Sequence, residues 1–297
     1  MTMELDRRTV LTGGGALALG AAVNGIALAQ GQRRLFDSHC HIIDHRFPIV
    51  ANQGYTPPHF PLDAYLAQVR PLGVVAGAVV SGSFQANDQT YLMDILPRLG
   101  PAWAGVTQIP NDYPDAEIVK LNALGVRAVR FNIFRGRIDS IDEIVALATR
   151  CHAVAGWHAE LYADAAALKP HVARLSKLPQ ISIDHLGMTE AGVPVLLDLV
   201  AAGAKVKATG FGRTKVNVPA TLERIAQKNP GALVFGTDIP STRAERPFEV
   251  ADIELIERVL GGELAKKVFW DNGIALYRIK KTVGSDENQG QRDCIQL

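Results

Sequence analysis

Cysteine is nearly absent from this chain of 297 residues, which contains only Cys40, Cys151 and Cys294. Three scattered thiols are too few for a disulfide framework or for a zinc site built from thiolates. An excess of one charge is also missing, because 31 basic residues are balanced by 30 acidic residues to give a formal net charge of +1. Since the sequence has no basic stripe, we expect no nucleic-acid partner.

A long hydrophobic run is missing as well. A transmembrane helix needs about 20 predominantly apolar residues, whereas the apolar stretch near the N-terminus, residues 13–26, is shorter and rich in glycine. Arg7-Arg8 precedes this stretch, and Ala27-Leu28-Ala29 follows it with the small-x-small pattern of a cleavage site. The segment resembles a twin-arginine export signal. We therefore expect residues 1–29 to be a signal peptide, the twin-arginine export machinery to be a partner, and the mature protein to be periplasmic without a stable membrane span.

No glycine-rich phosphate loop follows the first β-like run, which disfavours the alternative of a doubly wound open sheet. Instead, eight short β-like runs alternate with helical stretches. The predicted strands are residues 35–39, 77–80, 102–106, 128–131, 157–162, 181–184, 205–208 and 233–236. The predicted helices are residues 62–72, 89–99, 115–124, 141–155, 166–177, 193–202, 220–228 and 253–260. Eight such units without an internal break predict an α/β fold, a single-domain (β/α)8 TIM barrel over residues 30–283, and the polar residues 284–297 predict a disordered tail.

Chemically capable side chains follow the ends of several predicted strands, which is where the chemistry of such barrels collects. The first strand ends in His39-Cys40-His41, and strand alternation places the two histidines on one face and the cysteine on the other. The other candidates at or just beyond strand ends are Ser83, Arg130, Tyr162, His185, Arg213 and Asp238. By the same alternation, we expect Asp37 and Asp184 to face away from the site and to bond to the backbone. Glu160 is left outside the predicted site.

Three motifs occur in order and at barrel spacing: His39-x-His41, Ile-Asp-His-Leu-Gly over residues 183–187, and Phe-Gly-Thr-Asp-Ile-Pro over residues 235–240. Together they resemble the amidohydrolase superfamily, and within it the amidohydrolase family 2 branch that contains 2-pyrone-4,6-dicarboxylate lactonase, L-fuconolactonase and galactarolactone isomerase. The resemblance extends from about residue 34 to residue 279. It implies a TIM barrel and a hydrolase that opens a small lactone of a sugar acid or a dicarboxylate.

The resemblance also implies roles for individual residues. Asp238 matches the general base that activates water, and His39, His41 and His185 match the cluster around the substrate carbonyl. Arg130 would stabilise the oxyanion, and Arg213 would hold an acid group of the substrate. The residues expected to complete substrate binding are Tyr55, Ser83 and Tyr162. Arg243, in the loop after Asp238, either binds an anionic substrate or lies in water.

The ends of the predicted strands four and five bear on whether the site binds a metal. Metal-dependent relatives carry a modified lysine after strand four or a histidine at the end of strand five, and neither is present here. Arg130 would also repel a divalent cation. We therefore expect no cofactor and metal-independent catalysis; if zinc binds, its ligands would be His39, His41 and Asp238, with His185 as a possible fourth. The alternatives are a lactone isomerase, a zinc-dependent decarboxylase or hydrolase of the same superfamily, and a periplasmic lactone- or carboxylate-binding module.

Overall fold

Eight parallel strands form one sheet in which each strand pairs with the next along the chain. This computed structural model describes residues 33–136 and 140–280. The strands are β1 (Leu35–Cys40), β2 (Val74–Val80), β3 (Trp103–Thr107), β4 (Val126–Asn132), β5 (His158–Tyr162), β6 (Ile181–Ile183), β7 (Lys205–Ala208) and β8 (Leu233–Phe235). The predicted signal peptide, the predicted tail and Cys294 lie outside the described residues.

Helices lie between the strands, as a (β/α)8 barrel requires. The α-helices are α1 (Leu62–Val69), α2 (Thr90–Leu99), α3 (Asp115–Leu124), α4 (Ile141–Ala155), α5 (Val172–Leu175), α6 (Val193–Ala201), α7 (Val218–Lys228), α8 (Val250–Lys266) and α9 (Asn272–Leu276). The predicted TIM barrel is confirmed. In the described ranges, none of these helices is long and apolar enough to cross a membrane.

The helix α4 shows how local sequence sets an element's bounds. Its first turn carries Asp142 and Glu143, whose charges favour a helix N-terminus. The Ser140 hydroxyl accepts the Asp142 N–H, and Gly156 ends the helix in the left-handed conformation with φ 65°. The predicted range 141–155 is therefore confirmed.

One predicted helix is wrong. Residues 166–177 form a 3₁₀ stretch, Ala165–His171, followed by the single turn of α5. Pro170 lies inside this segment and cannot donate a backbone N–H, which explains why a continuous α-helix does not form.

The seam between β8 and β1 is closed by a small number of hydrogen bonds. The Asp238 N–H donates to the His39 carbonyl at 2.7 Å, and the His41 N–H donates to the Ile239 carbonyl at 2.9 Å. The buried Asp37 carboxylate accepts the backbone N–H of Thr237 at 2.8 Å. The predicted structural role of Asp37 is confirmed, and these bonds fix the ends of β1 and β8 beside each other.

The core has two parts. A large apolar cluster joins the strands to the helices and contains Cys40, Tyr65 and Trp157. A smaller cluster of mostly small side chains from β1 to β4 and β8 packs against Tyr277, and it includes Ala76, Ala78, Ala104, Val106, Ala128 and Val234. Other buried polar residues, such as His41, Arg130 and Asp238, lie at or just beyond the carboxyl ends of the strands.

Candidate active site

A pocket opens at the carboxyl ends of the strands. Seven of the predicted site residues line it: His41, Tyr55, Ser83, Arg130, Tyr162, His185 and Arg213. The other two, His39 and Asp238, do not line the pocket. Both are fully buried beneath it. The structure therefore brings all nine predicted residues together in two layers.

The carboxylate of Asp238 lies in the lower layer among imidazole rings. Its Oδ1 atom is 3.6 Å from His41 Nε2 and 3.7 Å from His39 Nε2. Asp238 has φ 60° and His185 has φ 50°, and such left-handed conformations are uncommon for residues other than glycine. Backbone strain of this kind often occurs where side chains must be aimed for function.

An ion pair covers Asp238 on the pocket side. Arg213 Nε and Nη2 donate to Asp238 Oδ2 at 2.8 and 2.5 Å. Burial alone would raise the pKa of Asp238, but the charge of Arg213 outweighs it and lowers that pKa below its usual range. Asp238 is therefore ionised at neutral pH, with one oxygen engaged by Arg213.

A second ion pair corrects one prediction. Arg130 Nη2 donates to Asp184 Oδ2 at 2.7 Å, and its Nη1 donates to the Ser81 carbonyl at 2.9 Å. The expectation that Asp184 faces away and bonds to the backbone is wrong. Strand β6 ends at Ile183 and a tight turn begins at His185, so strand alternation does not extend through this segment.

A third ion pair was missed by the sequence reasoning. Lys207 on β7 is fully buried, and its Nζ atom lies 2.5 Å from Glu160 Oε2 on β5. The same Nζ is 3.0 Å from His39 Nδ1. Burial, and then the neighbouring Asp184 charge, raises the pKa of Glu160 to about 7. The sequence contains one signal for this ion pair. Strands β5 and β7 each carry a charged residue, and a charge inside a barrel must be paired.

These three pairs form a buried ionic layer, which consists of Arg130–Asp184, Arg213–Asp238 and Lys207–Glu160. His39 and His185, which lie beside it, are uncharged at neutral pH. Burial, and then the charge of Lys207, lowers the pKa of His39 well below its usual value, and burial lowers the pKa of His185 to about 3. Neutral imidazoles can donate one hydrogen bond and accept another.

Three side chains of the site each have a buried polar atom without a hydrogen-bond partner among residues 33–136 and 140–280, and these atoms are His39 Nε2, His185 Nδ1 and Asp238 Oδ1. The three side chains also form a group whose donor atoms lie within 4.8 Å of one another. This group differs from the predicted zinc ligands, because it contains His185 in place of His41. The Nδ1 atom of His41 lies 2.7 Å from the Val80 carbonyl.

Gly210 makes room for the His185 ring. A Cβ atom at this position would lie 2.4 Å from His185 Nδ1, and the backbone has φ +62°. Both the close approach and the left-handed conformation require glycine. The sequence reasoning did not single out this residue.

Two further arginines, Arg135 and Arg243, line the upper edge of the pocket and are called the rim arginines below. The Arg243 guanidinium lies 4.5 Å from the centre of the Tyr55 ring and donates to the Asn52 carbonyl. Burial, and then the charge of Arg135, lowers the pKa of Arg243. Within the described parts of the chain, no carboxylate forms an ion pair with either rim arginine.

Comparison with known proteins agrees with this architecture. The family profile described as amidohydrolase matches residues 36–279. The chain belongs to this amidohydrolase family. Among characterised relatives, it is 26% identical to a 2-pyrone-4,6-dicarboxylate hydrolase of Comamonas testosteroni over 276 residues, which cover 81% of this chain and 89% of the relative. It is 27% identical to a 4-sulfomuconolactone hydrolase of Rhizobium radiobacter over 273 residues, which cover 82% and 90% of the two chains.

Solved structures show the same amidohydrolase barrel. A protein of Agrobacterium tumefaciens superposes with a TM-score of 0.75 at 22% identity, over 84% of this chain and 97% of the other. A Pseudomonas putida protein described as a 2-pyrone-4,6-dicarboxylic acid hydrolase superposes with a TM-score of 0.71 at 26% identity, over 84% and 99%. Membership of the family makes this chain a hydrolytic enzyme, with the pocket at the end of the barrel where amidohydrolase-type chemistry is expected.

Proposed function

We propose that this amidohydrolase hydrolyses a small lactone that carries acidic groups, such as a dicarboxylate lactone. The observation that carries the proposal is a buried carboxylate, Asp238, beneath a pocket whose charged lining is entirely cationic. Arg130, Arg135, Arg213 and Arg243 line the pocket, and no described carboxylate side chain does. Guanidinium groups match the planar geometry of carboxylates, so the pocket favours an anionic substrate.

The relatives support the reaction type. One of the similar proteins acts on 2-pyrone-4,6-dicarboxylate and another acts on 4-sulfomuconolactone. The names of both substrates describe a lactone with acid groups. At 26–27% identity the relatives do not specify which lactone this chain uses, so we draw the acidic character of the substrate from the pocket itself.

In the proposed reaction, Asp238 removes a proton from water as the water oxygen bonds to the lactone carbonyl carbon. The carbonyl becomes a tetrahedral oxyanion, which Arg130 is placed to stabilise as a hydrogen-bond donor at the pocket floor. The ring C–O bond then breaks, and the leaving ring oxygen takes up the proton. The products are a hydroxyl and a carboxylic acid on one open chain, and the acid then releases its proton to water to become a carboxylate.

Arg213 links substrate binding to the base. In this structure its guanidinium bonds Asp238 Oδ2, which lowers the basicity of the carboxylate. A substrate acid group that competes for Arg213 would weaken this pair and leave Asp238 more basic. The role predicted for Arg213, holding an acid group, is therefore compatible with its contact to Asp238.

We propose that the reaction needs no metal. His39, His185 and Asp238 are close enough together for zinc, but the second ring nitrogen of His39 and the second carboxylate oxygen of Asp238 face cations. A histidine that ligates a metal normally donates its second ring N–H to a carboxylate or carbonyl, whereas His39 Nδ1 faces the Lys207 ammonium. Asp238 Oδ2 is likewise held by Arg213. These residues do not fit a divalent cation.

We also propose that residues 1–29 direct export to the periplasm through the twin-arginine machinery, on the strength of the paired arginines and the cleavage pattern alone. Cell fractionation of the full chain and of an Arg7→Lys/Arg8→Lys variant tests this. Periplasmic wild type with a cytoplasmic variant is expected, and an identical distribution of the two would contradict it.

The reaction is tested by time-resolved proton NMR of the protein with a panel of sugar-acid and dicarboxylate lactones. We expect an open-chain hydroxy acid to appear faster than in spontaneous hydrolysis, and fastest for a lactone with two acid groups. Conversion to a second lactone of equal mass would instead establish an isomerase. Binding without any chemical change would contradict the enzymatic proposal.

A further inference from the structure

We propose that Lys207 is a positioning residue that holds neutral His39 in the tautomer protonated on Nε2. The inference deepens the proposed lactone hydrolysis and rests on it, because its consequence is the placement of a proton facing the base Asp238. Lys207 itself is fully buried and is not among the residues that line the pocket. It would therefore act on the reaction only through His39.

The contact between the two side chains fixes which atom donates. Lys207 Nζ lies 3.0 Å from His39 Nδ1, and both side chains are fully buried. An ammonium group has three donors and no acceptor, so His39 Nδ1 must accept. In a neutral imidazole whose Nδ1 accepts, the proton is on Nε2.

Two carboxylates and one aromatic ring surround the Lys207 side-chain nitrogen. Its Nζ is 2.5 Å from Glu160 Oε2 and 3.7 Å from Asp184 Oδ1. Nearby carboxylates favour the ammonium form of a buried lysine. The aromatic ring of Tyr277 lies 5.8 Å from the same nitrogen, which also favours a cation.

Without Lys207, the same site would favour the opposite tautomer. The other polar atoms near His39 Nδ1 are Asp184 Oδ1 at 3.5 Å and Glu160 Oε1 at 3.7 Å. Both are buried oxygens without a hydrogen-bond partner in the described ranges. Carboxylates accept hydrogen bonds, so they would draw the proton to Nδ1 and leave Nε2 with a free lone pair.

The Nε2 proton has a defined position. The His39 ring packs edge to face between His41 and His185, with centroid distances of 5.0 and 4.9 Å. Its Nε2 faces Asp238 Oδ1 at 3.7 Å. A proton on Nε2 points its positive partial charge towards that carboxylate and occupies the lone pair through which His39 would otherwise ligate a metal, which agrees with the metal-independent chemistry proposed above.

The test is nitrogen NMR of histidine-labelled protein, with the His39 signals identified by their loss in His39→Gln. We expect wild-type His39 to be neutral and protonated on Nε2. In Lys207→Met, which removes the donor and keeps an unbranched side chain, we expect the proton to move to Nδ1. The matched control is Lys205→Met on the same strand, because Lys205 Nζ donates to the Gly231 carbonyl instead, and the His39 tautomer should be unchanged.

Kinetics give a second readout. Lys207 does not line the pocket and acts only through the His39 proton that faces Asp238, so kcat of Lys207→Met should fall with little change in KM. Should Lys207→Met fail to fold because Glu160 loses its partner, Lys207→Met/Glu160→Gln removes both charges and leaves Asp184 as the acceptor. The same move of the proton to Nδ1 is expected there.

Wild-type His39 protonated on Nδ1 would overturn the proposal, as would an unchanged Nε2 tautomer in the folded Lys207 variants. The NMR readout does not depend on turnover. If no lactone is hydrolysed but the tautomer moves as expected, the proposed substrate is wrong and the positioning role of Lys207 stands.

Discussion

The buried ionic layer and the rim arginines carry the same kind of charge in opposite circumstances. In the layer, Arg130, Arg213 and Lys207 each lie within 2.7 Å of a carboxylate oxygen and are almost completely buried. At the rim, Arg135 and Arg243 are half-buried and have no carboxylate partner within the described ranges. A buried charge must be paired to be tolerated, whereas a half-exposed arginine is hydrated until a ligand arrives.

This difference suggests that the buried ionic layer and the rim arginines have different roles. Removing one member of a buried pair leaves the other uncompensated, so residues of the layer hold groups in place, and their loss affects chemistry or stability. A rim arginine can form a new ion pair with a substrate, and its loss should affect binding.

The largest effect is expected at the base. Asp238→Asn keeps the size of the side chain but removes the proton acceptor, so kcat should fall by roughly 10²–10⁴-fold. Turnover of the lactone identified by the NMR panel measures this, and circular dichroism checks that the variant folds. A folded variant with near-wild-type turnover would remove Asp238 from its proposed role.

A smaller effect is expected from His158, a histidine buried at the start of β5 beside Tyr277. Burial lowers its pKa from 6.5 to about 3. Below pH 6.5 His158 is protonated in the unfolded chain but stays neutral in the folded chain. The free energy of unfolding therefore falls as the pH falls from 6.5 towards 3. At pH 5 this amounts to about 2 kcal/mol.

His158→Gln isolates that contribution. Urea unfolding at pH 7 and pH 5 gives the loss of stability for each protein, and the loss should be smaller in the variant by about 2 kcal/mol. Contributions from other buried groups, such as Glu160 and His185, cancel in this comparison. Equal pH dependence in the two proteins would show that His158 is not held neutral by burial.

The smallest effect is expected at the rim. Arg243→Gln should raise KM for an acidic lactone roughly tenfold, because one charged hydrogen bond to the substrate is lost, and kcat should change little. Arg258→Gln, at an exposed position on α8, is the matched control and should leave both constants unchanged. A fall in kcat with constant KM in Arg243→Gln would contradict this, because it would show that Arg243 acts in the chemistry, as the residues of the buried ionic layer do, and not in substrate binding.

Much of this fold was predictable because its signals are local. The helix 115–124 and the strand 205–208 were predicted with the bounds that the structure has, since apolar spacing and a terminal glycine determine such elements. The positions of the site residues at strand ends followed from the barrel topology itself.

The parts that were not predictable depend on contacts between distant strands. Lys207 looked like an ordinary strand lysine until the barrel placed it against Glu160 and His39, which lie 47 and 168 positions away along the chain. The orientation of Asp184 depended on a tight turn that strand alternation does not foresee. The depth of His39 and Asp238 below the pocket likewise follows from packing and not from their place in a motif.

The central claim is that Asp238 activates water without a metal. It is tested most directly by turnover of a dicarboxylate lactone with protein that has been treated with a chelator and dialysed. We predict that the rate is the same before and after this treatment, is not increased by added zinc, and is lost in Asp238→Asn. A rate that vanishes on chelation and returns with zinc would contradict the account.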